Sequence, residues 1–302
     1  MSPSSVRPGR DFPIIDVHTH LFPERLFAAV RKWFADRGWR FAYPTTEPEA
    51  VAAWLRARGV ERFWFFNYAH KPGMARDLNQ WNARTAARIP GAHGFGTIHP
   101  GDPDLLAIAE EAVGPLGLAG FKLHLDVQRF ALDDPSLAGF LSFAEERGCL
   151  LVIHGGTAAS HFDPGKLGAA PFRRVLSKHP RLRVMVAHLG AFEVDAFLAL
   201  TRDFEDLYLD TCFCFRSAGA AASEQGPASL GYLVDYDVEA LSAARDRVLF
   251  GSDFPNIPFT WESEVEELLE LDLDADFYRK VFHANARALM ARLGISGNGG
   301  NA

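Results

Sequence analysis

The segment Phe12-Pro13-Ile14-Ile15-Asp16-Val17-His18-Thr19-His20 begins as an apolar run of strand length and ends in a His-x-His pair. Side chains alternate between the two faces of a strand, so His18 and His20 are expected on the same side of a buried β-strand. Two imidazoles that project together from a strand end can bind one metal ion, and neutral imidazole is a common zinc ligand. The pair alone is a weak signal, because histidines on a strand are often structural.

Four later apolar runs also end in a residue that can bind a metal. They are Gly120-Phe121-Lys122-Leu123-His124, Leu151-Val152-Ile153-His154, Val184-Met185-Val186-Ala187-His188 and Val248-Leu249-Phe250-Gly251-Ser252-Asp253. The alternative is that such residues end four strands by chance or for hydrogen bonding. The repetition favours a metal centre to which several strand ends contribute.

The chain alternates short apolar runs with longer amphipathic segments. Predicted strands cover residues 13–20, 61–68, 93–99, 118–125, 149–155, 182–189, 206–212 and 247–253. Eight βα units with strands buried on both faces predict an α/β fold, a single-domain (β/α)8 TIM barrel over residues 11–293. Active sites of such barrels lie at the C-terminal ends of the strands, where every candidate ligand falls. A doubly wound open sheet is the alternative, but no Gly-x-Gly-x-x-Gly follows the first strand. The Gly- and Asn-rich residues 294–302 are predicted to form a disordered tail.

Two Asp-Pro pairs predict helix N-termini. Asp102-Pro103 and Asp134-Pro135 each place an N-cap residue before a proline in the first turn. Gly148 is predicted to end the helix that follows Asp134.

The composition limits the classes of partner. A net charge of −7, from 31 basic and 38 acidic residues, argues against nucleic acid or an anionic membrane surface. No apolar stretch is long enough to span a membrane, and the N-terminus lacks the apolar core of a signal peptide. Few cysteines favour a reducing compartment, so a cytoplasmic protein with a small-molecule substrate is expected, with a homodimer as the default assembly. Cys212 and Cys214 form a Cys-x-Cys pair that could bind zinc, but no second Cys/His pair lies near it in the sequence.

The order of these motifs resembles the amidohydrolase superfamily. The histidine pair on strand one, the histidines that end strands five and six and the aspartate that ends strand eight carry the resemblance. The stretches most similar to its amidohydrolase-related branch are Ile15-Asp16-Val17-His18-Thr19-His20, Gly120-Phe121-Lys122-Leu123-His124, Phe250-Gly251-Ser252-Asp253-Phe254-Pro255 and His283-Ala284-Asn285-Ala286. That branch holds predicted metal-dependent hydrolases and proteins similar to aminocarboxymuconate-semialdehyde decarboxylase. The resemblance spans most of the chain and implies one or two divalent metal ions, most simply zinc.

The resemblance also implies roles for the candidate ligands. His18, His20 and Asp253 would bind a zinc ion, and Asp253 would also be the general base. His154 would be a fourth ligand of that ion or would bind a second metal. His188 would bind the second metal or hold the attacking water.

Three roles remain open for Lys122. In two-metal members of the superfamily a strand-four lysine is carboxylated and bridges the metals. Lys122 and His124 could instead contact an anionic group of the substrate, or Lys122 could form a structural ion pair. Arg216, after strand seven, is predicted to bind a substrate carboxylate through its planar guanidinium, with an ordinary surface arginine as the alternative.

Three functions follow from this site. The first is a metal-dependent hydrolase of a small amide, lactone or ester that carries a carboxylate. The second is a non-oxidative decarboxylase of a small aromatic or muconate-like carboxylate, in which protonated Asp253 or His188 delivers a proton to carbon. The third is a barrel that has lost catalysis and serves as a binding module. A missing metal ligand would mark it, but His18, His20, His154, His188 and Asp253 are all present.

Overall fold

A computed structural model describes residues 6–36, 38–43, 45, 47–157, 164–215 and 236–295 of the 302-residue chain. Arg216, the predicted carboxylate-binding residue, and residues 296–302 of the predicted tail lie outside the described residues.

Parallel strands form two sheets that follow the order of the chain. Within the described residues the strands are β1 (Ile14–His20), β2 (Val60–Phe66), β3 (Ala92–Gly94), β4 (Gly120–His124), β5 (Leu150–His154), β6 (Arg183–Val186), β7 (Leu207–Asp210) and β8 (Val248–Leu249). One sheet has the order β1–β2–β3 and the other runs from β4 to β8, with every pairing parallel. All eight predicted strands are therefore present, in the predicted order.

Backbone contacts join the two sheets at both edges. Gly96, after β3, forms a parallel bridge with Phe121 of β4, and the N–H of Lys122 donates to the Gly96 carbonyl at 2.8 Å. At the other edge Thr19 of β1 forms a parallel bridge with Phe254, which follows β8. Eight parallel strands in sequence order, with the first against the last, form the (β/α)8 barrel that the sequence predicts.

Helices alternate with the strands. In the part of the chain that the structure describes they are α1 (Glu24–Ala35), α2 (Pro48–Arg56), α3 (Ala75–Arg88), α4 (Leu105–Val113), α5 (Leu125–Gln128), α6 (Ala138–Arg147), α7 (Ala169–Lys178), α8 (Val194–Asp203), α9 (Val238–Ala243), α10 (Trp261–Leu269), α11 (Ala275–Arg279) and α12 (Asn285–Arg292). A π-helical turn, Lys280–Ala284, joins α11 to α12. Among the described helices, none combines the length and the apolar character that a bilayer span requires.

The two Asp-Pro predictions have different outcomes. The Asp134 side chain accepts a hydrogen bond from the N–H of Ser136, and Gly148 ends α6 in the left-handed conformation, so this prediction is confirmed. At Asp102 the prediction is wrong. Helix α4 begins at Leu105, and the Asp102 carboxylate instead accepts the N–H of Gly73 at 2.6 Å.

The core has an inner and an outer layer, and the strands are buried on both faces. In β5, Leu150 and Val152 pack inside the barrel, whereas Leu151 and Ile153 pack in the cluster between strands and helices. This is why the strand is apolar at every position from Leu150 to Ile153 and does not alternate. His154 has the same parity as Leu150 and Val152, so it extends the inward row at the C-terminal end of the strand.

Helix α12 covers the opposite end of the barrel. Its residues Ala286, Leu289 and Met290 join the interior cluster, together with Ile15 near the start of β1 and Tyr208 near the start of β7. The apolar layers below the candidate ligands are therefore sealed from solvent.

Truncation of Leu289 tests this seal. Leu289 is 1% exposed, so Leu289→Ala should lower the free energy of unfolding by about 2–5 kcal/mol through lost burial and a cavity. Leu106 on α4 is 45% exposed and serves as the matched control. Leu106→Ala should change the free energy of unfolding by less than about 0.5 kcal/mol. Urea denaturation of both variants gives the comparison, and equal costs would contradict a packed role for α12.

Candidate metal centre

The first strand does not alternate strictly. Its pairing with β2 shifts register between Asp16 and Thr19, which is the signature of a β-bulge. Val17 packs inside the barrel, and yet the next residue, His18, contacts Lys122 of β4. The irregularity therefore brings Val17 and His18 to the same side. The sequence predicted that His18 and His20 share a side but could not show that a bulge aims them at the centre.

Three imidazoles are held by hydrogen-bond acceptors at Nδ1. The acceptors are the Asp210 carboxylate for His18 (2.8 Å), the Phe66 carbonyl for His20 (3.3 Å) and the Cys212 carbonyl for His188 (3.0 Å). A neutral imidazole that donates from Nδ1 keeps a lone pair on Nε2, and these tautomers are assigned from the hydrogen bonds. An acceptor behind the ring is the usual arrangement of a metal-binding histidine.

Asp253 faces two of these rings. Its Oδ1 lies 2.7 Å from His20 Nε2 and 3.4 Å from His18 Nε2. The residue has a φ of 59°, and its N–H donates to the His18 carbonyl at 2.8 Å, which ties the segment after β8 to β1. Burial favours the neutral acid, but the adjacent His20 and His18 rings outweigh it and hold the pKa of Asp253 well below its usual range.

The donor atoms of His18, His20 and Asp253 fit a shared cation. They all lie within 4.8 Å of one another. Ligands about 2.0–2.2 Å from a tetrahedral zinc ion lie about 3.4 Å apart. The separation of His18 Nε2 and Asp253 Oδ1 is 3.4 Å, and that of His20 Nε2 and Asp253 Oδ1 is shorter, 2.7 Å. Two neutral imidazoles and one carboxylate are also a donor set that zinc prefers.

Lys122 lies at the same centre. Its Nζ is 3.2 Å from His18 Nε2, and the ammonium sits over the Phe66 ring, 5.0 Å from the centroid. The side chain is 1% exposed, and burial lowers the pKa of Lys122. A lowered pKa makes the neutral amine more accessible, and the neutral amine is the form that reacts with carbon dioxide.

His154 and His188 form a second group beside the first. His188 Nε2 lies 3.1 Å from His154 Nδ1. Because His188 already donates from Nδ1, its Nε2 accepts from His154, and the lone pair of His154 is left on Nε2. The rings of His18 and His188 are 5.4 Å apart, so the two groups are in contact. His154 and His188 are nevertheless not within the 4.8 Å group of His18, His20 and Asp253.

His124 presents a donor at the edge of this cluster. Its ring stacks on His154, with centroids 4.0 Å apart and an angle of 13°. The N–H of Val127 donates to His124 Nδ1 at 3.4 Å, so the neutral ring carries its proton on Nε2. His124 can thus donate to an oxygen atom of a ligand, which is what the predicted substrate contact would require.

Sequence reasoning missed Asp210, although the signal was present. Asp210 ends the apolar run of β7 as Asp253 follows that of β8, and its carboxylate contacts His18. Only one member of the Cys-x-Cys pair lies among potential metal ligands. Cys212 forms a second group of potential ligands with His18 and Asp210, whereas the Cys214 thiol donates to the Cys212 carbonyl.

Tyr68 was also missed, since no motif marks it. Its ring lies 4.9 Å from the His124 ring and 6.5 Å from the His20 ring. Burial raises the pKa of Tyr68, and the negative charge of Asp253 adds to the effect. Among the described residues the Tyr68 hydroxyl has no hydrogen-bond partner. It is therefore available to a ligand beside His20 and His124.

Buried side-chain amides fix the part of the barrel rim that carries Tyr68 and His124, at the C-terminal ends of β2 and β4. Gln128 donates to the Ala69 carbonyl at 2.9 Å and accepts the N–H of His124 at 2.8 Å. Asn67 donates to the carbonyl of Leu21. Tyr68 lies between two residues whose positions are set by these bonds, and His124 is bound to the same glutamine, so both donors are held before a ligand arrives.

A protein-family model identifies the family of this chain. A model described as amidohydrolase matches residues 15–291, which is most of the sequence. The chain belongs to the amidohydrolase family. The resemblance carried by its strand-end motifs is thereby confirmed.

Three solved structures share the fold of the chain. An uncharacterized TIM-barrel protein from Bordetella bronchiseptica is 22% identical, with 94% of this chain and 100% of that chain covered and a TM-score of 0.68. The 5-carboxyvanillate decarboxylase LigW from Sphingomonas paucimobilis is 17% identical, with coverages of 93% and 99% and a TM-score of 0.63. A candidate 2-pyrone-4,6-dicarboxylic acid hydrolase from Pseudomonas putida is 20% identical, with coverages of 94% and 98% and a TM-score of 0.63.

Two tyrosines allow a matched test of the rim. Tyr68→Phe should leave the free energy of unfolding within about 0.5 kcal/mol, because its hydroxyl has no partner among the described residues. A hydrogen bond to a charged ligand oxygen is worth about 1.5–3 kcal/mol, so kcat/KM should fall about 10- to 100-fold. Tyr43, whose hydroxyl accepts the N–H of Trp261, is the control, and Tyr43→Phe should instead cost about 0.5–1.5 kcal/mol of stability. Unchanged kinetics in Tyr68→Phe would rule out a substrate contact.

Proposed function

We propose that this amidohydrolase is a metal-dependent hydrolase of a small amide, lactone or ester that carries a carboxylate. The observation that supports it most is the convergence of His18 Nε2, His20 Nε2 and Asp253 Oδ1, with the Nδ1 atoms of both rings held from behind. His18, His20 and Asp253 would hold a divalent ion, most simply zinc, and His154 and His188 lie beside them for a further bond or a second ion. A bound ion of this kind lowers the pKa of water from about 15.7 toward 7 and polarises a carbonyl oxygen.

Asp253 is proposed to move the proton. Its carboxylate is about one-sixth exposed, so it borders both the buried histidines and the open end of the barrel. An ionised carboxylate at this position can accept a proton from water and return it to the leaving group. Its Oδ1 also lies 2.7 Å from His20 Nε2, so the carboxylate is placed beside the atoms that would hold the ion.

The rim supplies donors for the substrate. His124 Nε2–H and the Tyr68 hydroxyl can donate to a carbonyl or carboxylate oxygen, and both are held by the amides that surround them. Arg216, predicted to bind the same carboxylate, remains a proposal outside the described residues.

Lys122 favours hydrolysis over decarboxylation. Its buried amine lies against a predicted ligand, His18, where a carboxylated lysine could bridge two ions. Two bridged ions suit attack on a carbonyl, because one can hold the nucleophile while the other polarises the substrate.

Decarboxylation is the second candidate, and the rings around the site favour it. Phe22 stacks on His20 at 5.6 Å, Tyr68 meets His124, and Phe213 lies 6.0 Å from His188. Such a surface suits a flat aromatic acid. One solved relative is named a 5-carboxyvanillate decarboxylase and another a 2-pyrone-4,6-dicarboxylic acid hydrolase, and both names denote carboxylate-bearing rings.

Substrate screening separates the two. Metal-loaded protein is offered carboxylate-bearing lactones, esters and amides, with acid release followed by pH indicator, and aromatic or muconate-like carboxylates, with carbon dioxide trapped. Turnover of the first set alone supports the hydrolase, and release of carbon dioxide alone overturns it in favour of the second candidate.

Asp253→Asn tests the proton carrier. Asparagine can still offer an oxygen but cannot accept the proton, so turnover should fall by about 10²- to 10⁴-fold while the melting temperature changes little. Asp272 is the matched control, because it also has a positive φ, 51°, and is exposed. Asp272→Asn should keep full turnover. Retained activity in Asp253→Asn would rule out this base.

Metal content tests the role of Lys122. Protein purified without added metal or chelator is measured by elemental analysis. About two ions per chain would support the carboxylated bridge, and Lys122→Ala should then lose one of them, while Lys178→Ala, at the exposed end of α7, should lose none. About one ion would contradict the bridge. No bound metal, even after reconstitution with zinc, would contradict the proposed function.

A further inference from the structure

We propose that Asp210 is a positioning residue that fixes His18 and His188 relative to each other and so sets the metal affinity of the site. The inference rests on the proposed metal centre and adds a residue to which neither motif nor fold gives a role. Asp210 ends β7 and is fully buried. One carboxylate oxygen contacts His18 on β1, and the other contacts His188 in the segment after β6.

One oxygen fixes the His18 ring. Asp210 Oδ2 accepts from His18 Nδ1 at 2.8 Å, and neither side chain is more than 1% exposed, so no water competes for the bond. The bond keeps the proton on Nδ1 and leaves the Nε2 lone pair facing Asp253 and Lys122. With Nδ1 bare, the ring would turn or would carry its proton toward the cation.

The other oxygen fixes the backbone of His188. Asp210 Oδ1 accepts the His188 N–H at 2.9 Å. His188 and Leu189 both have positive φ values, 58° and 48°, which cost free energy for residues with a Cβ. Such a turn persists only where the surroundings over-determine it. The bond from Asp210 is placed at the first residue of the turn, and it orients the chain from which the His188 ring projects.

Cys212 completes the arrangement. Its thiol donates to Asp210 Oδ1 at 2.7 Å, and its carbonyl accepts from His188 Nδ1. The end of β7 therefore holds the backbone of His188, the ring of His188 and the ring of His18 at once. A change that removes one acceptor oxygen of Asp210 should therefore disturb at least one predicted metal-site histidine.

Zinc affinity provides the first readout. Asp210→Asn keeps the shape but replaces one acceptor oxygen with an NH2 donor, so either His18 or His188 loses its partner. Loss of such an acceptor typically weakens metal binding by about 10- to 100-fold. Zinc affinity is measured by competition with a chromophoric chelator. Asp206→Asn is the matched control, because Asp206 precedes the same strand at its other end, where it pairs with Arg292, and its affinity should equal that of the unmodified protein.

A spectroscopic readout separates positioning from a general structural effect. In metal-free protein labelled with ¹⁵N-histidine, NMR reports which ring nitrogen carries the proton. The unmodified protein and Asp206→Asn should show His18 protonated on Nδ1, and Asp210→Asn should shift His18 toward the other tautomer. The measurement on the unmodified protein needs no variant, so it stands even where Asp210→Asn does not fold.

The outcomes are distinct. Weaker zinc binding in Asp210→Asn with normal binding in Asp206→Asn supports the inference. Equal affinities in Asp210→Asn and the unmodified protein overturn it and leave the metal centre intact, as does His18 protonated on Nε2 in the unmodified protein. No zinc binding by the unmodified protein overturns both the inference and the proposed function.

Discussion

Side chains on a regular strand point alternately to opposite faces, and this constraint would keep Val17 and His18 apart. The register shift between Asp16 and Thr19 interrupts this alternation, so Val17 and His18 face the same side. An apolar layer of the barrel is therefore followed directly by a layer of potential ligands. Asp16 itself accepts the Ser252 hydroxyl at 2.6 Å, which draws the segment after β8 against β1. That segment carries Asp253. The irregularity after Asp16 thus aligns the histidines, and the Asp16–Ser252 bond brings in the carboxylate that meets them.

The groups that meet there are buried, and burial makes their pairing obligatory. Lys122 and Asp210 are at most 1% exposed, and a charge without a partner in such surroundings costs several kcal/mol. His18 contacts both of them, while Asp253 contacts His20. Apolar side chains of similar volume would often pack there at no loss of stability. A charged cluster in the ligand layer of a well-packed barrel is therefore better explained by chemistry than by folding.

Sequence patterns predicted the fold because the burial of a strand or helix is visible in residues that are neighbours in the sequence. In β5 every residue from Leu150 to Ile153 is buried, so an apolar run ending in His154 marks both the strand and its ligand. The bulge in β1 has no such signature, since it depends on pairing with β2. Asp210 had the same signal as Asp253, but its partner is 192 positions away in the sequence. Asp102 resembled Asp134, yet a backbone amide from the preceding βα unit took its carboxylate instead.

Hydrolysis and decarboxylation place similar demands on the ligand layer, so the choice between them depends on what surrounds it. In one reaction Asp253 takes a proton from water, and in the other a protonated group delivers one to carbon. The donors on the β2 to β4 side are fixed, because Gln128 binds the backbone on both sides of the gap between Tyr68 and His124. That side is suited to hold a substrate oxygen in either reaction.

Lys122 is different, since it lies among the ligands and contacts His18 directly. A buried amine there can, once carboxylated, add a negative bridging group to the centre, and a second cation can then polarise a carbonyl that is attacked. The position of Lys122 is therefore the feature that favours hydrolysis.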